Sequence, residues 1–193
     1  MITIEPPRSS AAHADAWTAW GLSRPTLARF TKKAQAAVGL QGDVEILLAG
    51  DATLRRLNRD FRAKDKPTDV LSFPAPSGFA GTHAGDLAIS LQTAQRQATE
   101  HGHTLADEVR VLLLHGLLHL SGMDHETDSG EMEARETTLR KTLKLPLGLI
   151  NRTYKSTNPP KVAHKTTQTA FNVEKRRKVP HKSTRNSSKR VTA

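Results

Sequence analysis

Polar and apolar residues alternate through the opening MITIE, a period of two that predicts a short strand stopped by Pro6 and Pro7. The period then lengthens. In SRPTLARFTKKAQAAVGL, Leu27, Phe30, Ala34 and Val38 recur at helical spacing, with Ser23 as N-cap and Pro25 in the first turn. DVEILLAG, rich in β-branched and apolar residues, reads as a second strand, and Asp51 is expected to cap the helix ATLRRLNRDF that follows. A third strand, TDVLSF, is bounded by Pro67 and Pro74, and the loop PAPSGFAGTHAG leads into a fourth, DLAIS. Ser90 is placed to cap a helix ending near Glu100, EHGHT makes a turn, and Thr104 with Asp107 resembles a capping box at the head of the next helix. A last helix runs from near Asp128 to near Lys144, with acids in its first half and bases in its second, as the helix dipole favours.

This order predicts one α+β domain, residues 1–151, built as a small mixed sheet with helices mainly on one side. Beyond it, residues 152–193 thin out in apolar side chains while Lys, Arg, Ser, Thr and Asn dominate. They are expected to form a basic, disordered tail, too poor in apolar surface to offset the entropy of ordering.

The charge follows the same division. The chain has 29 Lys and Arg, 19 acids and a formal charge of +10, but the tail takes 12 of the bases and a single acid, Glu174, leaving 17 bases and 18 acids in the body. The nucleic-acid signature therefore belongs to the tail, which reads as an arm for docking on RNA without regard to sequence, with a merely solubilising tail as the other reading. With 193 residues the chain suffices for one sizeable core. It contains no cysteine, so disulfides are excluded and any metal site falls to histidine and carboxylate. The longest nearly apolar run, Val111 to Leu120, is interrupted by Gly116 and two histidines and is shorter than the roughly 18 residues a membrane span needs. With neither a basic leader nor an apolar core at the amino end, the chain is expected in the cytoplasm, away from membranes.

That run also carries the chemistry. In HGLLHLSGMDH, residues 115–125, His115 and His119 lie one turn apart on one helical face. Gly122 can end the helix in a left-handed turn, from which His125 swings back to the same point. Three neutral imidazoles around Zn²⁺ would leave a fourth, open position, the arrangement of a catalytic site. As merely buried polar residues on so apolar a helix, each unpaired imidazole would cost on the order of 1–3 kcal/mol. Zinc peptidases of the His-Glu-x-x-His type carry their general base directly after the first histidine. Gly116 stands there, so peptide hydrolysis is not expected.

These residues belong to a larger pattern. NRDFRAKDKPTDVLSFP at 58–74, GDLAIS at 85–90 and HGLLHLSGMDH, in that order within about residues 40–140, resemble the YbeY family of bacterial endoribonucleases, the rRNA maturation factors. The acidic DHETDSGEMEARE that includes the third histidine resembles the family as well, whereas the tail does not.

The resemblance implies a zincin-like α+β fold with one Zn²⁺ per chain held by His115, His119 and His125. It implies single-strand-specific cleavage of RNA, maturation of ribosomal RNA (notably the 3′ end of the small-subunit RNA), ribosome quality control and contact with ribosomal particles. It also makes Arg62 the other active-site residue. Without the resemblance, Arg62 is one of three arginines on a helix with Arg56 and Arg59, and a solvated face is the default. With it, zinc and a guanidinium together supply the charge stabilisation a phosphodiester requires.

Two other functions stay open: a metal-dependent hydrolase of another class, and a non-catalytic ribosome- or RNA-binding protein with structural zinc. For the latter, Asp124 is the candidate fourth ligand, although a turn role is favoured. Asp69 and Asp86 are candidates for orienting a histidine through its second nitrogen, with capping or turn roles equally open. Glu108 lies on the face of His115 but reads equally as an exposed first-turn acid, and His101 and His103 read as loop residues.

Overall fold

The structure, a computed structural model, describes residues 1–6, 15–76, 78 and 81–146; the expected tail, residues 152–193, lies outside them. Four strands, β1 (Ile2–Ile4), β2 (Asp43–Ala49), β3 (Val70–Pro74) and β4 (His83–Ser90), form one sheet in the order β1-β2-β4-β3. β1, β2 and β4 run parallel, with Ile2 opposite Ile46 and Ile46 opposite Leu87; β3 is an antiparallel edge strand, with Phe73 opposite Asp86. Six helices complete the described chain: α1 (Ala16–Ala19), α2 (Arg24–Val38), α3 (Asp51–Arg62), α4 (Leu91–His101), α5 (Leu105–Leu120) and α6 (Glu131–Leu143).

Strand alternation decides which helix packs where. Val44, Ile46 and Leu48 of β2 and Leu87 and Ile89 of β4 enter a large core with residues of α2, α4, α5 and α6. Their neighbours Leu47, Ala49 and Ala88, with Leu71 and Phe73 of β3, face the other way and are covered by Leu54 and Leu57 of α3. The result is the expected α+β architecture, a mixed sheet with one helix on one face and the rest on the other.

α5 is apolar on nearly every side, and a helix of that kind must be buried. Leu112, Leu113, Leu114, Leu117 and Leu118 are all 0% exposed, each contributing about 1.5–3 kcal/mol.

Both expected helix caps around α4 and α5 form. Ser90 Oγ accepts from the Thr93 amide at 3.2 Å, and Thr104 Oγ1 accepts from the Asp107 amide at 3.1 Å. Asp51 does not cap its own helix; Gly50 is the N-cap of α3. β2 and β4 end side by side, so the heads of α3 and α4 are neighbours. The Asp51 carboxylate accordingly crosses over, accepting from Ser90 Oγ, from Thr93 Oγ1 at 2.8 Å and from Arg96 at 2.9 Å. Glu5, at the end of β1, serves α3 instead, accepting from the Gly50 amide at 3.4 Å and Thr53 Oγ1 at 3.1 Å.

Three element boundaries differ from the sequence pattern. α1 has four residues, too few to show a period. β4 starts three residues before Asp86, because Gly85 at φ +138° continues the strand where a Cβ would collide with the Phe73 carbonyl. α6 starts at Glu131, while the Asp128 carboxylate accepts from the Gly130 and Met132 amides ahead of and within its first turn.

Candidate metal centre

α5 ends in the geometry its glycine allows. Gly122 takes φ +92°, its amide donates to the His119 carbonyl at 3.0 Å, and the Met123 amide donates to the Leu118 carbonyl at 3.2 Å. This pair of bonds is a Schellman motif, which turns the chain sharply back on the helix it has just left. Asp124 tightens the return, accepting from the Glu126 amide at 3.1 Å and from Thr127 Oγ1 at 3.2 Å. Burial opposes its charge, but these bonds and the nearby histidines outweigh that and hold its carboxyl below the usual range. Asp124 is thus a turn former, and His125 is delivered to the same side of α5 as His115 and His119.

The three rings form a nearly regular triangle, with centroids 4.7 Å apart for His115 and His119 and 5.2 Å for each other pair. One ring nitrogen of each lies within 4.8 Å of the others, an arrangement that could hold a metal ion. His115 is buried, and His119 and His125 are half-buried. Burial, then the neighbouring His115 and His125, push the His119 pKa down to about 4. Its imidazole is therefore neutral near pH 7, the form that binds metal.

The orientation of His115 has a cause that sequence reading missed. Its Nδ1 donates to Glu136 Oε2 at 2.8 Å, which leaves Nε2 turned inward, 3.1 Å from His119 Nε2. Glu136 comes from α6 and is 2% exposed; Arg140, one turn on and 1% exposed, pairs with its other oxygen. Burial disfavours the Glu136 charge, and the His115 and Arg140 contacts more than compensate, so its carboxyl stays below the usual range. A signal was present in the sequence. Met132, Leu139 and Leu143 mark the buried stripe of α6, and Glu136 and Arg140 lie within it, two charges with the spacing of an ion pair.

Asp69 and Asp86, for which the sequence leaves orienting and turn roles equally open, are engaged away from the three rings. Asp69 accepts from the Val70 amide at 2.8 Å and from Gln97 at 3.1 Å, and Asp86 pairs with His83 at 3.2 Å. Glu108 is not an exposed acid. It is 0% exposed and paired with His103, which is therefore more than a loop residue.

Arg62 closes the last turn of α3, and its guanidinium lies 3.7 Å from Glu126, the residue after His125. This contact brings the end of α3 to the loop that carries the third histidine. Gly116 points toward the sheet: a Cβ there would lie 2.7 Å from Leu87 Cδ2 and 3.4 Å from Ser72 Oγ. Its lack of a side chain is a packing requirement of α5 against β3 and β4.

A family model described as Endoribonuclease YbeY matches residues 16–144, a span that holds the three histidines, Arg62 and Glu136. A Koribacter versatilis protein named Endoribonuclease YbeY is 52% identical over 145 residues, 75% of this chain and 91% of its own. A Solibacter usitatus protein of the same name is 52% identical over 131 residues, 68% of this chain and 86% of its own. The solution structure of TM1509 from Thermotoga maritima matches with 23% identity and a TM-score of 0.44, over 84% of this chain and 100% of its own. With a model match across two thirds of its length and relatives at this identity, the chain belongs to the Endoribonuclease YbeY family.

Proposed function

We propose that His115, His119 and His125 hold one Zn²⁺ and that the chain is a zinc-dependent, single-strand-specific endoribonuclease of ribosomal RNA processing. In this reading it acts in the cytoplasm on the 3′ end of small-subunit RNA and in ribosome quality control, in contact with ribosomal particles. The observation that carries the reading is the convergence of three imidazoles, one of them fixed by Glu136 with its free nitrogen turned inward. Neutral nitrogen donors of this kind suit zinc. When bound, zinc supplies Lewis acidity toward a phosphoryl oxygen.

The remaining roles fall to the chain itself. Glu136 holds the His115 ring in place and fixes its tautomer. Arg62 binds the scissile phosphate through two parallel N–H donors. Its present partner, Glu126, is 62% exposed, and so open an ion pair contributes little and yields readily to a phosphate. Residues 152–193 add a basic arm that strengthens RNA binding without sequence preference.

Two alternatives are weaker. A peptidase would need a base at position 116, where even a Cβ meets Leu87. A structural zinc would need a fourth protein ligand, and the Asp124 carboxylate is engaged by its own turn.

The test is metal analysis combined with cleavage of a ribosomal RNA precursor by wild type, His115→Ala and Arg62→Ala. His115→Ala should lose both metal and cleavage, and Arg62→Ala should keep the metal and lose cleavage. Undiminished cleavage by either purified variant sinks the reading.

A further inference from the structure

Among the described residues, the exposed large hydrophobic side chains are Met1 and Phe61. A lone exposed apolar residue is ordinary on a protein surface. Phe61 differs in where it stands and in how it is held. It is the outer end of the apolar stripe of α3, after Leu54, which is fully buried, and Leu57, which is half-buried. That stripe runs along the sheet to its edge, β3, and Phe61 overhangs there, 52% exposed. Its ring meets that of Phe73 on β3, with centroids 5.0 Å apart and planes at 69°. The ring is thus braced from one side and open to solvent on the other.

Bases outnumber acids along this segment. Arg62 is the next residue and Lys64 and Lys66 are exposed in the loop after the helix, while Asp60, the residue before the ring, is paired with Arg59 at 3.0 Å. The acid in that loop is drawn away: Asp65 is held by both Nε and a terminal nitrogen of Arg55, at 2.8 Å each. Asn58 pins the loop as well, donating to the Lys66 carbonyl at 2.8 Å. β3 also ties the ring to the metal centre. Ser72 Oγ on one face donates to the Gly116 carbonyl at 3.4 Å, beside His115, while the next residue, Phe73, carries Phe61 on the other face.

A braced aromatic ring one residue before an arginine at the end of a helix matches one kind of occupant, a nucleotide whose base lies on the ring and whose phosphate reaches the cation. We propose that Phe61 is a stacking platform for one base of single-stranded RNA, setting the adjoining phosphate at Arg62. The inference rests on the endoribonuclease reading above and deepens it. A base within a duplex is already stacked on its neighbours, so the platform favours single strands.

The test uses the full chain as wild type, Phe61→Leu and Phe61→Trp, with two probes: a short single-stranded RNA oligonucleotide, and inorganic polyphosphate, which has the charge without the bases. Phe61→Leu should weaken oligonucleotide binding roughly 5- to 100-fold and raise KM for cleavage more than it lowers kcat. Its polyphosphate affinity should match wild type. Phe61→Trp should keep RNA affinity, with its added indole fluorescence quenched by the oligonucleotide and not by polyphosphate. The proposal is overturned if Phe61→Leu binds RNA as wild type does, if it loses both probes together, or if the Phe61→Trp signal ignores RNA. A wild-type chain that cuts the precursor while Phe61→Leu keeps its KM removes the platform alone. A wild-type chain that neither binds nor cuts RNA removes the endoribonuclease reading with it.

Discussion

His115 and Glu136, 21 residues apart in sequence, are joined by a 2.8 Å hydrogen bond from the imidazole Nδ1 to the carboxylate. The bond makes α6 a support for a centre whose three rings all belong to α5 and its turn. Replacing Glu136 by Gln keeps the shape and gives up the charge that holds the ring. Metal affinity should fall roughly 10- to 100-fold, read by competition with a chelator. An unchanged affinity means that the bond is incidental to the centre.

Arg140 is the other half of this support, and nearly all of it is buried. Besides Glu136 it reaches the Pro146 carbonyl at 2.9 Å. Arg140→Ala strips Glu136 of its counter-charge inside the fold and should cost about 3–5 kcal/mol, measured as a drop in the urea midpoint at constant slope. A loss under about 1 kcal/mol would show that water reaches the pair and takes over.

Gly116→Ala and Gly116→Glu test the packing account of the missing protease glutamate. Each puts a Cβ 2.7 Å from Leu87, and each should destabilise the fold by about 1–3 kcal/mol. Gly116→Glu should gain no peptidase activity. Peptide turnover by that variant, in a fold as stable as wild type, contradicts this account.

Asp51 links the heads of α3 and α4, and its carboxyl is lowered from 3.8. Burial opposes the charge, and the bonds from Ser90, Thr93 and Arg96 overcome that opposition. A lowered folded-state value means that ionised Asp51 stabilises the fold above its unfolded-state value, and that the contribution fades as pH falls through the folded one. Asp51→Asn should cost about 1.5–3 kcal/mol near neutrality. The Tm difference from wild type should narrow only as pH falls below the ordinary carboxylate range, and a difference independent of pH would assign the effect to shape rather than charge.

Much of this architecture was legible in the sequence because it rests on local rules. The caps at Ser90 and Thr104, the left-handed Gly122 and the i, i+4 pair His115 and His119 all come from contacts within a few residues. What escaped depends on elements meeting in space. Asp51 carries a sound local capping signal, yet the parallel strands bring a second helix head within its reach. Glu136 looks like one more acid in an acidic run until α6 packs on α5 and aims it at His115. Arg62 gained significance from its motif, and what the structure adds is its approach to Glu126 across the gap between α3 and the histidine turn.

The three histidines and the carboxylate behind them fall within residues 115 to 136, whereas Arg62 arrives from the far side of the sheet. Closing so short a segment costs little chain entropy, while docking α3 requires strands far apart in sequence to pair first. In contact order, the histidine cluster is therefore a neighbourhood construction and the approach of the arginine a long-range one. The approach of Arg62 depends on α3 docking on the sheet, whereas the three rings and Glu136 depend on the packing of two helices adjacent in sequence.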